Sequence, residues 1–477
     1  MDWSSAVVYQ IYPRSFQDSD GDGIGDLPGI SARLDHIAAL GADAVWLSPI
    51  YPSPQADFGY DVADFTGIEP AYGTLADFTA LLDATHARGL KLLMDLVPCH
   101  TSIAHPWFRT RPEYYVWADE KPNNWIASFG GPAWSRDPGT GCFYLHSFFA
   151  EQPDLDWRNP DVVAAMQDVV HLWLERGADG YRLDALDRLL KDPELRDDPR
   201  AAGPPPLPLH PEHARLEHRH SRDAPDIAGA LTAIRAAAGD AFLVGEVYLP
   251  SDGLAPYLDT LDAAFAFELL HAGWDPARVR AAIEGAGAGG KPAWVLSNHD
   301  FPRLPDRVGR ENLRAAALLL LTLPGPVFVF QGDEIGMGNG PGGDPPQDRY
   351  GRDAFRHPMQ WEPGPAAGFT TGTPWLPLVD PEARSVAAQE GDPGSLLSLY
   401  RELIALRRRL PVGGLEFRDD VAPGVLAYRR GAYEVVINFT GEALPAPEGE
   451  GEFVLATCDS PIDGATILPR AGYVRRR

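Results

Sequence analysis

Short β-type runs alternate with helical segments along the first 330 residues. The strand-like runs are AVVYQIYP, ADAVWLSP, LKLLMDLVP, GADGYRLD, FLVGEV, DAAFAFE, PAWVLSN and GPVFVFQG. Between them, segments such as LADFTALLDATHARG and VVAAMQDVVHLWLERG place apolar residues at helical spacing and end in glycine, as amphipathic helices do. A repeated strand–helix order predicts a mainly parallel sheet with crossover helices.

Two stretches interrupt this order. Residues 101–156, rich in aromatics, proline and glycine, follow the third strand, and the proline-rich, charged residues 191–226 follow the fourth. We expect both to lie over the strand tips. After the helix-like run at 395–410, short β runs such as GVLAYRR and YEVVINF predict a small all-β domain. The Ala/Gly-rich GAGAGG at 285–290 is most simply read as a loop.

Four of the strand-like runs carry acids, histidines or an arginine near their carboxyl ends. These residues are Asp95 and His100, Arg182 and Asp184, Glu246, and Asn298, His299 and Asp300. Polar strand tips that converge on one pocket are the design of a (β/α)8 TIM barrel enzyme. The sequence therefore predicts an α/β barrel whose chemistry uses carboxylates.

Composition narrows the class of protein. With 477 residues and 44% hydrophobic composition, the chain can bury a large core. A formal charge of -26 disfavours nucleic acid and anionic membrane as partners, because both need basic patches. Three scattered cysteines make no disulfide framework, no signal-peptide pattern opens the chain, and no apolar run approaches about 18 residues. We expect a cytoplasmic protein acting on an uncharged small molecule.

Five motifs in order carry a family resemblance. DLVPCH, GYRLDALD, VGEV and SNHD, together with QPDLDW at 152–157, resemble those of the α-amylase superfamily, glycoside hydrolase family thirteen. Within it, the chain is similar to the α-glucosidase and oligo-1,6-glucosidase group. The resemblance implies a barrel at 1–100 and 157–410, an inserted domain at 101–156 and a C-terminal antiparallel β-sandwich at 411–477.

Retaining cleavage of a glycosidic bond needs a nucleophilic carboxylate and a carboxylic acid about 5 Å apart. Asp184 and Glu246 are the natural pair. We expect Arg182 to lower the pKa of Asp184, and partial burial to raise the pKa of Glu246. An isolated Arg-x-Asp is more often a structural ion pair, but here it stands among the other motifs. Glu268, near another strand end, is the competing acid.

The resemblance assigns further roles around this pair. Asp300 would be the third catalytic carboxylate, His100 and His299 would bind sugar hydroxyls, and Asp95 would orient Arg182. In FGYDVADF at 58–65, Tyr60 would stack on the sugar and Asp61 would bind its outer hydroxyls. The segment RDAFRHPMQW offers Arg356 as the partner of Asp61. That ion pair would close the pocket behind the non-reducing end and make the enzyme exo-acting, whereas outside the motif it would read as a surface ion pair.

The loop DSDGDGIGD at 18–26 has the pattern of a calcium loop. Its expected ligands are Asp18, Asp20, Asp22, the Ile24 carbonyl and Asp26. Position twelve is Gly29 and no helix precedes the loop, so it is no EF-hand; it resembles the metal loop of oligoglucosidases. The ion would be structural Ca²⁺, with Mg²⁺ as the alternative. A solvated acidic turn that binds no metal is the competing interpretation. The histidines at 210–220 would line the pocket entrance in preference to forming a second metal site.

Two positions bear on specificity. In this family group, valine directly after the nucleophile accompanies α-1,6 cleavage, so Ala185 favours α-1,4 bonds. Cys99 stands where the family usually has asparagine, which removes an amide near the pocket. The sequence thus predicts a retaining exo-α-glucosidase acting on short gluco-oligosaccharides, as a monomer or small homo-oligomer. The alternatives are an oligo-1,6-glucosidase, a transglucosylase or isomerase resembling trehalose synthase or sucrose-acting relatives, and a non-catalytic sugar-binding protein.

Overall fold

Eight parallel strands close into a barrel, as the sequence predicts. The computed structural model describes residues 1–477. The barrel strands are β1 (Val7–Ile11), β2 (Ala44–Leu47), β3 (Lys91–Leu96), β4 (Gly180–Leu183), β5 (Phe242–Gly245), β6 (Ala263–Phe265), β7 (Pro292–Val295) and β8 (Val327–Phe330). Each strand pairs with its neighbour in sequence, and β8 pairs with β1 to close the ring. All eight polar-tipped or apolar runs therefore end at the same face of the barrel.

Twelve α-helices accompany the strands. They are α1 (Leu27–Leu40), α2 (Leu75–Ala87), α3 (Pro106–Thr110), α4 (Pro160–Glu175), α5 (Ile227–Ala238), α6 (Ala255–Leu258), α7 (Phe267–His271), α8 (Pro276–Gly289), α9 (Leu304–Val308), α10 (Leu313–Thr322), α11 (Val386–Gln389) and α12 (Leu396–Arg407). None of them is both long and apolar enough to span a bilayer. The loop predicted at 285–290 is wrong, because α8 continues through Gly289 and ends at Gly290 with φ +101.

Local side-chain bonds set where the helices begin. The Thr74 hydroxyl accepts the backbone N–H of Asp77, and the Asp77 carboxylate accepts the backbone N–H of Thr74. This capping box satisfies two amide groups that helix α2 would otherwise leave without a partner. At α1, the Asp26 carboxylate accepts the backbone N–H of Gly29 at 2.6 Å in the same way.

The inserted segment between β3 and β4 forms a small antiparallel sheet. Strands Trp117–Ala118 and Trp134–Arg136 both pair with Phe143–Leu145. Trp125 and Trp134 belong to a separate apolar cluster at this sheet. The sheet lies inside residues 101–156, whose role as a domain stays a prediction.

Two antiparallel sheets follow α12. The larger runs in the order Glu416–Phe417, Val425–Arg430, Tyr433–Asn438, Gly472–Arg476 and Glu452–Ala456, and the smaller in the order Leu444–Pro445, Thr466–Ile467 and Ile462–Asp463. One apolar cluster of 100 buried residues includes barrel helices together with Tyr428 and Val435 of the larger sheet. The C-terminal sheet is therefore packed onto the barrel and shares its core.

Helix α10 lies at this junction and is buried around most of its circumference. Its carboxyl end carries backbone carbonyls that no helical amide can reach. The side chain of Arg407, which is buried, donates to the carbonyl oxygens of Leu321 at 3.1 Å and Leu323 at 2.6 Å. Arg407 thereby closes the end of α10 from helix α12.

We expect Arg407→Met to destabilise the fold, because each buried carbonyl left without a donor costs about 1–3 kcal/mol. The neighbouring variant Arg408→Met is the control, since the Arg408 side chain is 62% exposed. Urea unfolding should give a loss of about 2 kcal/mol or more for Arg407→Met and a change of less than about 0.5 kcal/mol for Arg408→Met. Equal unfolding free energies for the two variants would contradict this account of the junction.

Candidate active site

The acidic side chains meet because their strands are neighbours in the barrel. Asp95 on β3 is directly opposite Arg182 on β4, and Arg182 is opposite Val244 on β5. Asp184 follows the last residue of β4, and Glu246 follows the last residue of β5. Parallel strands in register thus place these carboxylates at one end of the barrel.

The guanidinium of Arg182 binds three carboxylates at once. Its Nη1 donates to Asp95 Oδ1 at 2.9 Å and to Asp184 Oδ1 at 2.6 Å, while Nη2 donates to Glu246 Oε2 at 2.5 Å. The arginine side chain is only 2% exposed and lies over the ring of Trp46 at 5.1 Å. A planar guanidinium with fixed donors holds such a set in one geometry. Asp95 therefore orients Arg182, as expected.

Burial dominates the pKa values of the central pair. It raises the pKa of Asp184 to about 7, although Arg182 acts in the opposite direction. Arg182 lowers the pKa of Asp184, as expected, but burial outweighs the adjacent positive charge and the net pKa is raised. Burial also raises the pKa of Glu246 well above its usual value, and the carboxylates of Asp184 and Asp300 add to this rise. The hydrogen bond between the two carboxyl groups raises the pKa of Glu246 and lowers the pKa of Asp184, which favours a proton on Glu246 and a negative charge on Asp184.

Asp300 has the opposite electrostatic setting. Its Oδ1 accepts hydrogen bonds from Arg352 Nη1 at 3.0 Å and Arg356 Nη2 at 3.1 Å, and its Oδ2 lies 3.1 Å from His299 Nε2. Burial alone would raise the pKa of Asp300, but His299 and the two arginines together hold it well below its ordinary value. Asp300 is thus ionised at neutral pH.

His299 is a neutral hydrogen-bonding group behind the cavity. Burial lowers its pKa to about 3, and its ring stacks on Tyr60 with centroids 5.4 Å apart. Its Nδ1 lies 2.8 Å from Gln10 Nε2 and its Nε2 lies 2.8 Å from the Tyr60 hydroxyl. Since the Gln10 amide donates to Nδ1, the proton of His299 is on Nε2, toward Asp300 and Tyr60. His100 lines the cavity, and its buried Nδ1 has no partner in the protein.

The expected ion pair between Asp61 and Arg356 is wrong. The chain turns at Phe58 and Gly59, both at positive φ, and directs Asp61 back into its own loop. There its carboxylate accepts the Ser53 hydroxyl at 2.7 Å and the backbone N–H groups of Ala56 and Asp57 at 2.9 Å. Asp61 does not line the cavity, and Arg356 binds Asp300 and the carbonyl of His299. The Ser53 hydroxyl and two backbone amides therefore take up the hydrogen-bonding capacity of Asp61, and no arginine pairs with it.

The acid and base that pair at this wall are Asp57 and Arg352, four residues earlier in each motif. Arg352 Nη2 donates to Asp57, and the same guanidinium binds Asp348 and Asp300. Asp57 and Arg352 both line the cavity. Two acids are possible at the first motif, because Asp57 directly precedes FGYDVADF and Asp61 lies within it. Two arginines are possible at the second, because RDAFR contains both Arg352 and Arg356. The motifs alone therefore do not show which acid pairs with which arginine.

These side chains surround a cavity of about 170 Å³ at the end of the barrel. Of the expected residues, Asp184, Glu246, Asp300, Tyr60, His100 and Ala185 line it, while Arg182, His299 and Arg356 lie one layer behind. Sequence reasoning missed several lining residues, namely Asp57, Phe129, Phe148, Asp187, Arg188, Tyr248, Phe301, Tyr350 and Arg352. Most come from the interrupted regions or lie one or two residues after a carboxylate. Glu268 does not line the cavity and hydrogen-bonds Ser251.

Ala185 and Cys99 lie directly beside catalytic motif residues. Ala185 adopts a left-handed conformation with φ +45, and its backbone N–H donates to Glu246 Oε2 at 3.3 Å. Cys99 is fully buried, and its thiol donates to the carbonyl of Arg188 at 3.4 Å. Burial raises the pKa of Cys99 well above its usual value, which keeps it a thiol and excludes it as a nucleophile.

Comparison with known proteins agrees with this geometry. The family model described as "Alpha amylase, catalytic domain" matches residues 10–412. The chain belongs to the α-amylase family. It is 42% identical to a probable α-glucosidase of Rhizobium meliloti over 87% of this chain and 84% of that protein. It is 37% identical to an oligo-1,6-glucosidase of Parageobacillus thermoglucosidasius over 85% and 84%. The crystal structure of the α-glucosyl transfer enzyme XgtA superposes with a TM-score of 0.92 at 36% identity, covering 99% of both chains.

Membership of the α-amylase family makes the protein a glycoside hydrolase that acts on small sugar substrates. The motif order, the barrel and the position of the acids all agree with that family. The roles of individual residues are proposals.

The acidic loop lies away from this α-amylase-type cavity. Oxygen atoms of Asp18, Asp20 and Asp22 all lie within 4.8 Å of one another, and hard carboxylate oxygens are the ligands that Ca²⁺ and Mg²⁺ prefer. Asp26 instead caps α1 and accepts the N–H and hydroxyl of Ser19. Between 210 and 220, His213 and His218 stack at 3.5 Å, and no three side chains there form a metal-binding group. His210 and His213 line the cavity, as expected for the entrance.

The raised pKa of Glu246 predicts a pH-dependent stability effect. The pKa of an unfolded glutamate is about 4.3, and the pKa of Glu246 in the fold is higher. Such a carboxyl contributes its full stability to the fold below about pH 4.3, the unfolded pKa, and this contribution is lost as the pH rises through the folded pKa. Glu246→Gln removes the ionisation, so its melting temperature relative to the natural protein should increase between pH 5 and pH 8.

Calorimetric melting at both pH values checks this expectation. Glu268→Gln, a carboxyl outside the cavity, serves as the matched control and should lack the effect. A melting difference for Glu246→Gln that does not change with pH would show that this carboxyl ionises as easily in the fold as outside it.

Proposed function

We propose that the protein is a retaining, exo-acting α-glucosidase that hydrolyses terminal non-reducing α-glucosidic bonds of short gluco-oligosaccharides, with α-1,4 bonds favoured. The observation that carries this proposal is the sharing of Arg182 by Asp184 and Glu246. Two carboxyl groups on one guanidinium lie close together, and a separation of about 5–5.5 Å is the arrangement of retaining glycosidases, whereas inverting enzymes need about 6.5–9.5 Å.

The reaction would proceed in two displacements. Asp184 attacks the anomeric carbon while Glu246 gives its proton to the leaving oxygen, which forms a glucosyl ester on Asp184 and releases the acceptor sugar. Glu246, now ionised, takes a proton from water as that water attacks the same carbon. Glucose leaves with retained configuration, Asp184 is again a carboxylate and Glu246 is again protonated.

The surrounding groups supply binding and charge stabilisation. An ionised Asp300 would bind two hydroxyls of the glucosyl ring and favour the positive charge that develops on the ring at the transition state. Neutral His299, with its proton on Nε2, acts through Asp300 and Tyr60. The unpartnered Nδ1 of His100 is suited to one further sugar hydroxyl, and Tyr60 would pack on the ring.

Exo action is supported by the ion pair of Asp57 and Arg352 at the cavity wall. This pair takes the place that the sequence had assigned to Asp61 and Arg356. A charged pair at that wall can bind the outer hydroxyls of a terminal sugar, and because both side chains are buried, we expect the wall to stop a longer chain there. Hydrolysis would therefore release single glucose units.

Transfer of the glucosyl group to another sugar is the second candidate. The similar α-glucosyl transfer enzyme is named for that reaction, and six phenylalanine and tyrosine rings line the cavity, those of Tyr60, Phe129, Phe148, Tyr248, Phe301 and Tyr350. An apolar wall favours an acceptor over water while the covalent intermediate persists. Oligo-1,6-glucosidase activity, and isomerisation as in trehalose synthase or sucrose-acting relatives, use the same residues.

Product analysis separates these activities. The purified protein is incubated with maltose, isomaltose, sucrose and trehalose, and the products are resolved by chromatography and by the anomeric proton signal. We expect glucose chiefly from maltose, released first as the α-anomer, and we expect Asp184→Asn to lower kcat by about three orders of magnitude or more while the fold is kept.

The other outcomes have clear meanings. Glucose chiefly from isomaltose would move the linkage to α-1,6, and rearranged disaccharides would make the protein a transferase or isomerase. First release of the β-anomer, or near-normal turnover by Asp184→Asn, would sink the proposed mechanism.

We also propose that the loop of Asp18, Asp20 and Asp22 binds one structural Ca²⁺, with Mg²⁺ as the alternative. A chelator should lower the melting temperature by several degrees, added Ca²⁺ should restore it, and Asp20→Ala should abolish the response. Asp64→Ala is the matched control, because Asp64 accepts the backbone N–H two residues ahead at 2.8 Å, as Asp20 does at 3.1 Å. A Ca²⁺ response retained by Asp20→Ala would place the ion elsewhere.

A further inference from the structure

Three aromatic rings from three separate segments meet at the mouth of the cavity. Phe129 of the inserted segment contacts Tyr350 of the loop after β8, with ring centroids 4.2 Å apart. His210 of the 191–226 segment lies 6.1 Å from Tyr350. All three rings line the cavity, and Tyr350 is 37% exposed at its rim. We call these three residues the aromatic arch.

The loop after β8 is fixed beneath and beside the arch. The Arg352 guanidinium lies 5.3 Å from the Phe129 ring and 5.6 Å from the Tyr350 ring. Arg349 forms a two-point ion pair with Glu151 of the inserted segment, at 3.0 and 2.8 Å. Arg352, which also binds Asp57, therefore packs against two rings of the arch.

The 191–226 segment is fastened to the inserted segment by a row of hydrogen bonds. They join Asn123 to the carbonyl of Leu195, Asn124 to Asp197 and Asp198, Trp125 to the carbonyl of Arg196, Gly131 to Glu212, and His213 to the carbonyl of Ile126. Their lengths lie between 2.8 and 3.1 Å. On the barrel side, Tyr248 donates to the carbonyl of Pro208 at 2.9 Å. Both flanks of His210 are thus held in place.

His210 occupies its position because residue 130 is a glycine. Gly130 has φ +91, and a Cβ added there would lie 2.5 Å from Cε1 of the His210 ring. That distance is far below any van der Waals contact, so a side chain at this position would displace the ring. The sequence of the inserted segment therefore permits the arch to close.

We propose that the aromatic arch limits the acceptor side of the cavity to a single sugar ring, and that His210 and Tyr350 are specificity-determining residues that make the enzyme prefer disaccharides to longer oligosaccharides. This inference rests on the proposed glucosidase function. A second acceptor sugar would have to pass three rings whose positions are fixed by ion pairs and hydrogen bonds. The Phe129 ring also offers no hydrogen-bond partner for the hydroxyls of that sugar, so passing it would leave hydroxyls without partners.

The test compares kcat/KM for maltose and maltotetraose in His210→Ala and Tyr350→Ala. We expect the ratio of tetrasaccharide to disaccharide to rise about tenfold or more in each variant, which corresponds to about 1.4 kcal/mol. The readout is the ratio of the two substrates, because both residues line the cavity and their removal can also change kcat/KM for maltose itself. Gly130→Ala, which displaces the His210 ring, should shift the ratio in the same direction.

Matched controls separate the arch from general effects of truncation. His220→Ala removes a histidine of the same segment that does not line the cavity, and Phe453→Ala removes a ring of the C-terminal sheet that is 51% exposed. Both should leave the ratio unchanged. A ratio that stays within about twofold of the natural value in both arch variants would overturn the inference.

A binding measurement keeps the inference testable if the proposed reaction is wrong. Calorimetric titration of Asp184→Asn with a disaccharide and a tetrasaccharide, in both the α-1,4 and α-1,6 series, should give weaker binding of the longer sugar. Adding His210→Ala should remove that difference. If no sugar is hydrolysed but the binding difference behaves this way, the proposed function fails and the arch stands; if hydrolysis occurs without any length preference, the arch fails and the function stands.

Discussion

The active end of the barrel depends on one buried guanidinium, that of Arg182. Three carboxylates with little solvent would repel one another strongly at such short range, and an unpaired buried charge is costly. Arg182 makes the set tolerable by donating to Asp95, Asp184 and Glu246 together. One positive charge cannot neutralise three negative ones, so the cluster favours a proton. The nearby carboxylates of Asp184 and Asp300 raise the pKa of Glu246 and so favour the proton there. The acid needed for bond cleavage is thus a consequence of charge balance.

A second guanidinium organises the outer part of the site. Arg352 binds Asp57, Asp348 and Asp300 and lies beneath the rings of the aromatic arch. The inner arginine comes from a barrel strand, whereas the outer one comes from a loop after β8. Rigid strands therefore fix the reacting groups, and loops joined by ion pairs fix the size of the space around them. This division lets loops change specificity without disturbing the reaction.

Much of the fold and the inner site could be predicted from the sequence, and the reasons are local. Each barrel strand is a short apolar run with period-two or continuous hydrophobicity, and residues at the ends of neighbouring parallel strands must converge. Asp184, Glu246 and Asp300 were found on that argument. The GAGAGG run failed because glycine and alanine give no hydrophobic pattern, and its helix is stabilised by burial of Val279 and Ile283 earlier in α8.

The pairing of Asp57 with Arg352 in the outer site could not be predicted from the sequence, because it depends on contacts between distant loops. Asp57 and Asp61 are both acidic, as Arg352 and Arg356 are both basic, and only the backbone turn at Phe58 and Gly59 decides which acid faces the cavity. The net pKa of Asp184 could not be predicted for a related reason. A neighbouring arginine is visible in the sequence, but the degree of burial that outweighs it is a property of the whole fold. Sequence patterns thus identify groups fixed by one strand, whereas groups fixed by two or three loops need the assembled structure.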